Sequence, residues 1–237
     1  MLEARDIAFA YGKTPILRGV SFVASPGEIV SVVGANGAGK TTLMRILSTL
    51  ATSDAGSVLL DGKDITAKPI VYRRHVGYLP ERIALYDDMS ARDYLVYRAK
   101  LKGEPSKRIR RRLSEASEIC GLSAILSRRI GGLSAGQKKR VAFADAIMLR
   151  PRILLLDDLL SGLDVEMRKA MGGILSSMAA FASVVATGHE IYDLAKWTTR
   201  FLVLRGGVVS AAIPAAGADT AALAARVENA LAGEGAK

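Results

Sequence analysis

Nine consecutive residues, Gly34-Ala35-Asn36-Gly37-Ala38-Gly39-Lys40-Thr41-Thr42, limit the fold of this chain more than any other stretch. They follow the apolar run Ile29 to Val33 and precede Leu43, Met44, Ile46 and Leu47, so the local order is strand, glycine-rich turn, helix. Glycines at 34, 37 and 39 permit backbone conformations that a Cβ forbids, and successive N–H groups can then turn inward on an anion at a helix N-terminus. In such a cradle Lys40 reaches the outer phosphates of a nucleotide and the Thr41 hydroxyl takes one position on Mg²⁺. A turn that merely joins strand to helix does not require the full Gly-x-x-x-x-Gly-Lys-Thr spacing.

The segments around the loop read as an α/β protein. Leu2 to Ala10 and Ile16 to Ala24 alternate apolar and polar residues as half-buried strands do, and Ser25-Pro26-Gly27 turns the chain into the loop's own strand. A helix is expected from Lys40 to about Leu50, a strand over Ala55 to Leu60 closed by an Asp61-Gly62 turn, and another over His75 to Leu79. From Asp88 to Ser127 the spacing turns helical, with Tyr94, Leu95, Tyr97 and Leu101 on one face and Leu113, Ala116, Ile119 and Cys120 on a later one. Ser134 can cap a helix that Arg150-Pro151 stops. Ile153 to Leu156 is a run of the kind buried in a parallel sheet and ends in Asp157-Asp158. A helix near Val165 to Ala180, strands at Val184 to Thr187 and Phe201 to Leu204, and a short helix around Ile191 complete the core. Residues 210–237 read as an Ala- and Gly-rich tail without chemistry, with one weak terminal helix expected within Pro214 to Lys237.

Half of the 237 residues are hydrophobic, enough for a sizeable core. The single cysteine, Cys120, excludes an internal disulfide and a multi-cysteine metal site. Neither a signal-peptide pattern nor an apolar run of the roughly 20 residues needed to span a bilayer is present, so a cytosolic location is expected and any membrane span must come from another chain. The net charge is +10, and residues 92–112 hold nine basic residues against Asp93 and Glu104. A solvated helical face is the first expectation for that cluster, then anionic headgroups, then nucleic acid. No aromatic interleaves Lys107 to Arg112, so no nucleic-acid partner is expected.

Four further elements follow the loop in order: Leu133-Ser134-Ala135-Gly136-Gln137, Ile153 to Asp157, Ser161-Gly162-Leu163-Asp164, and Gly188-His189. Together with Tyr11 ahead of the loop, this set resembles the nucleotide-binding subunit of an ABC transporter over about Leu2 to Val209. The resemblance implies a P-loop NTPase core with an antiparallel β subdomain and an inserted helical subdomain at about 82–132. It also implies two copies, most simply identical, that sandwich two ATP molecules head to tail. Tyr11 would stack on adenine, residues 34–42 would hold the phosphates, and Thr41 and Asp157 would serve Mg²⁺. Ser134, Gly136 and Gln137 would meet the γ-phosphate on the opposite protomer, and His189 would help fix the attacking water. The partner would be a permease on a separate chain, with this subunit on the cytoplasmic face of the inner membrane.

Asp158 stands where the family carries its catalytic glutamate, so the carboxylate is one methylene short, about 1.5 Å. A shift of that order can cost about a hundredfold when it misplaces a general base. Two functions follow: an ATPase motor, or an ATP-gated clamp with slow turnover. Leu159-Leu160 replace the family's usual Pro-Thr. Glu81 replaces a glutamine that touches Mg²⁺ and the permease, and remains an adequate ligand. Its context, Tyr78-Leu79-Pro80-Glu81, resembles subunits paired with export-type permeases. Asp145 stands where an arginine is frequent.

Overall fold

The computed structural model describes residues 1–66 and 69–233. Two sheets pack over one shared apolar layer, and a second layer lies on the far face of the larger sheet. An antiparallel sheet is built from β1 (Leu2–Tyr11), β2 (Thr14–Ala24), β4 (Ala55–Leu60) and β5 (Lys63–Asp64), in the order β2-β1-β4-β5. The expected Asp61-Gly62 turn joins β4 to β5, with φ of 49° and 75° at its two residues, the left-handed pair that a tight hairpin needs.

The second sheet contains β3 (Ile29–Val33), β6 (Val76–Leu79), β7 (Ile153–Leu156), β8 (Ser183–Thr187), β9 (Arg200–Arg205) and β10 (Val208–Pro214), ordered β10-β9-β3-β8-β7-β6. Its first five strands in chain order are parallel, and β10 adds an antiparallel edge. Side chains alternate between two apolar layers, as the period of two requires. Val30, Val32, Leu155, Val185 and Leu202 face the antiparallel sheet and α1 (Lys40–Leu47), whereas Ile29, Val33, Leu154, Leu156, Val184 and Phe201 face the helical side.

That helical side holds α3 (Ala91–Leu101), α4 (Ser106–Ile119), α5 (Ala135–Ile147), α6 (Val165–Ala179) and α7 (Ile191–Ala195), while α2 (Pro69–Arg73) buries none of its residues. Within the insertion the expected faces hold in part. Ala91, Tyr94, Leu95 and Ala99 are buried, but Tyr97 and Leu101 are exposed, and Ile119 is exposed where Leu113, Ala116 and Cys120 are buried. Burial pushes the Cys120 thiol up to about 12, so it behaves as a small apolar group.

The C-terminal region holds the expected terminal helix and adds a strand that was not expected. The anticipated boundary at 209/210 falls inside β10, and α8 (Thr220–Ala232) buries Leu223, Ala224 and Val227 against the helical-side core. Asp219 caps α8 through bonds from the Ala221 and Ala222 N–H groups, and Gly233 ends it at φ 88°.

Candidate nucleotide-binding site

Parallel strands bring their C-terminal ends to one edge, the usual place for a ligand in an open α/β sheet. Here β3 runs into the glycine loop, β6 into Pro80-Glu81, β7 into Asp157-Asp158 and β8 into Gly188-His189. Residues far apart in sequence therefore converge.

Two glycines of the loop are fixed by their surroundings. A Cβ on Gly34 would lie 2.4 Å from the Leu204 carbonyl oxygen, so β9 leaves no room for one. Gly39, at φ 102° just before α1, would put a Cβ 2.8 Å from Leu17 Cδ2. Lys40 Nζ donates to the carbonyls of Gly34 at 2.7 Å and Ala35 at 3.1 Å, folding back over its own loop. Burial lowers its pKa below the ordinary lysine value, and the carboxylates of Asp157, Asp158 and Glu81 oppose that shift. Asn36, Gly37 and Ala38 line a concavity of about 320 Å³ with Pro15, Ile16 and Gly206. Thr42 is buried behind the loop.

Thr41 Oγ1 lies 3.3 Å from Glu81 Oε2 and 3.4 Å from Asp157 Oδ1. Asp157 is 1% exposed, and its Oδ1 accepts from Thr187 Oγ1 at 2.7 Å while its buried Oδ2 has no hydrogen-bond partner among the described residues. An orphaned buried carboxylate oxygen beside a hydroxyl and a second carboxylate is a hard-oxygen set that suits Mg²⁺ completed by water and phosphate. Burial raises the Asp157 pKa, against the lowering effect of the Thr187 and Thr41 hydroxyls. Burial first, and the Asp157 charge next, also push the Tyr78 phenol well above its usual value.

Asp158 has a backbone φ of 51°, in the left-handed region that aspartate tolerates better than most residues. Its N–H donates to Thr187 Oγ1 at 2.8 Å, and its carbonyl accepts from Lys139 Nζ at 2.8 Å. Leu159 and Leu160 are buried in the helical-side core.

Ser134 forms a capping box at the start of α5. Its Oγ accepts from the Gln137 N–H at 3.3 Å, and Gln137 Oε1 accepts from the Ser134 N–H at 3.1 Å. Ser134, Gly136 and Gln137 line a concavity of about 600 Å³ with Gly162 and Asp164, and Arg140 Nε donates to Asp164 Oδ2 at 2.9 Å. Among the described residues, this concavity and the one at the glycine loop share no lining residue. The two halves of the expected site thus face different spaces on a single chain.

His189 is exposed, which removes the core-histidine explanation for it. Tyr11 is 51% exposed, with an edge-on contact to Phe9 at 4.9 Å between ring centroids. A third concavity, about 750 Å³, opens between Pro80 to Tyr86 and α3, with Ile70, Leu101, Arg73, Arg74, Lys102 and Asp145 among its walls. Asp145 is buried and accepts from Arg98 Nε at 3.0 Å and Lys102 Nζ at 2.8 Å, so two members of the basic cluster are internal partners rather than free charge.

Sequence reasoning missed Thr187 and Lys139. Thr187 reads as the last residue of a buried strand, and Lys139, only 5% exposed, stands in the basic run Lys138-Lys139-Arg140 without any sequence signal of its own. Only the fold brings them to Asp157 and Asp158.

The sequence profile of the ABC transporter family matches residues 17–161. The chain is 31% identical over 212 residues to the spermidine/putrescine import ATP-binding protein PotA of Haemophilus influenzae, covering 89% of this chain and 57% of that protein. It is 34% identical over 215 residues to the sulfate/thiosulfate import ATP-binding protein CysA of Methylococcus capsulatus, covering 88% of this chain and 61% of that protein. The chain thus spans about three fifths of the length of these curated relatives. A solved structure described as the ATP binding subunit of an ABC transporter superposes with a TM-score of 0.86 at 26% identity, covering 96% of this chain and 99% of that one. The P-loop core with its antiparallel sheet and helical insertion is accordingly an ATP-binding-cassette fold, and this chain belongs to the ABC transporter family.

Proposed function

We propose that this chain is the ATP-binding and hydrolysing subunit of an ABC transporter, acting as a head-to-tail pair beneath a permease carried on a separate chain. One observation supports it most: Lys40, Thr41, Glu81 and Asp157 converge at one sheet edge, whereas Ser134 lines a different concavity. A chain so arranged offers a phosphate grip on one side and a capped helix N-terminus on the other. A second copy brings the two together.

In this reading Tyr11 packs on adenine and the 34–42 loop with Lys40 holds the phosphates. Thr41, Asp157 and Glu81 would hold Mg²⁺, which supplies charge neutralisation on the phosphates. Asp158 orients and deprotonates the attacking water, His189 steadies it against the γ-phosphate, and Ser134, Gly136 and Gln137 of the second copy close over that phosphate. The pair closes on ATP and opens after hydrolysis because the two states differ in affinity for ATP and ADP. The unit spans residues 1–209 extended by β10 and α8. The 750 Å³ cleft receives a permease helix, holding the protein at the cytoplasmic face of the inner membrane. Direction of transport is outside the proposal: export rests only on the Tyr78-Leu79-Pro80-Glu81 form, and the import names of the relatives weigh against it.

The test is Mg²⁺-dependent ATP hydrolysis by the purified protein. Turnover lost on Lys40→Ala and on His189→Ala supports the motor. A rate near zero that rises severalfold on Asp158→Glu supports instead a slow clamp, the reading favoured by the shortened carboxylate. Absence of both ATP binding and hydrolysis overturns both.

A further inference from the structure

Lys139 is a buried cation for which the proposed chemistry has no use. It lies on α5, five residues past the Ser134 cap, and its ammonium meets no carboxylate within hydrogen-bond distance among the described residues. It donates instead to two backbone carbonyls, those of Asp158 at 2.8 Å and of Ser161. Taking an ammonium out of water is costly unless its donors are used, so a lysine placed here must be bonded to this loop. Burial lowers its pKa, while Asp158, Glu190 and Asp157 raise it and Arg168 lowers it.

The Asp158 peptide is thereby held from both sides, its N–H by Thr187 Oγ1 and its carbonyl by Lys139 Nζ, in a left-handed conformation. Each grip comes from a different element, β8 and α5. The neighbouring residue on α5, Arg140, holds Asp164 at the far end of the same loop. The helix whose N-terminus faces one concavity thus fixes the backbone that carries the Asp158 carboxylate, whose charge acts on Lys40 at the other edge.

We propose that Lys139 is a positioning residue: by holding the Asp158 and Ser161 carbonyls it keeps the short Asp158 carboxylate aimed at the hydrolytic site. Its kinetic consequence rests on the ATPase reading above; its structural consequence does not.

The test uses the full chain with Lys139→Met, which keeps side-chain length and burial but removes the donors, beside Lys139→Arg, which restores them. Lys139→Met should lower kcat at least about tenfold, as misplacement of a catalytic group does, with ATP affinity within about twofold of native. Lys139→Arg should recover most of that loss. In a crystal structure of Lys139→Met, Asp158 should leave the left-handed region and lose its bond to Thr187. Should Lys139→Met not fold, Lys139→Leu, which also lacks donors, carries the same structural expectation. An Asp158 that keeps its φ and its Thr187 bond without the Lys139 ammonium overturns the proposal, as does kcat within twofold of native. Lys40→Ala separates the two failures. If it abolishes native turnover while Lys139→Met leaves it intact, only the Lys139 inference falls. If no Lys40-dependent turnover exists, the ATPase reading falls and the crystallographic comparison alone decides the role of Lys139.

Discussion

Replacing Thr187 by valine removes the hydroxyl that ties together the two carboxylate-bearing residues of the candidate site while leaving shape almost unchanged. The hydroxyl makes one buried and one part-buried bond, donating to Asp157 Oδ1 at 2.7 Å and accepting the Asp158 N–H at 2.8 Å, at a residue 1% exposed. A bond to a charged acceptor contributes about 1.5–3 kcal/mol and a neutral one about 1, and their removal leaves a part-buried N–H unsatisfied. The added methyl offsets somewhat under ~1 kcal/mol. A net loss of ~2–3 kcal/mol follows, roughly 30- to 150-fold in the folding equilibrium. Urea unfolding of metal-free protein reads it as a lowered midpoint at unchanged slope. Thr187→Ser keeps the hydroxyl and loses one methyl, at about 1 kcal/mol. A Thr187→Val protein within about 0.5 kcal/mol of native, or a serine variant as damaged as the valine one, would refute the reasoning.

Asp157 supplies a pH prediction. Its folded-state pKa is raised, so the folded chain holds the proton more tightly than the unfolded one. That contribution to stability is present at acid pH and lost as pH climbs from the unfolded pKa through the folded one. Metal-free native protein should therefore lose stability relative to Asp157→Asn as pH rises from about 4 towards neutrality, measured by urea midpoints; a constant difference would contradict it. Asp145→Ala strands Arg98 and Lys102, whose side chains are 34% and 18% exposed, and should cost ~2–3 kcal/mol, less than the ~3–5 kcal/mol of breaking a fully buried pair because Arg98 reaches solvent. Limited proteolysis should then cut first between α3 and α4.

What was legible in the sequence was local. The glycine loop declares itself because its chemistry needs a fixed spacing along nine residues, and β7 because a strand buried on both faces must be apolar throughout. The Asp61-Gly62 turn and the Ser134 cap are local for the same reason. Faces of the inserted helices were legible only in part, since Tyr97 and Leu101 keep helical spacing yet border an open cleft. In the C-terminal segment the terminal helix was legible, with Asp219 and Gly233 marking its ends, but β10 was missed because its exposed edge carries little contrast between faces. Asp145, Thr187 and Lys139 take their roles from partners at sequence distances of 19 to 47 residues, which no pattern in a single chain encodes.

The account turns on a site completed only by a second copy, and mixing two inactive variants measures that. In a head-to-tail pair, Lys40→Ala and Ser134→Arg each spoil both sites of their own homodimer, but a mixed pair has one site with both residues intact. Random mixing should restore ATP hydrolysis to about a quarter of the native rate, half the pairs being mixed with one working site of two. Turnover that stays at the level of the separate variants at every ratio would contradict the account and place Lys40 and Ser134 at one site on one chain.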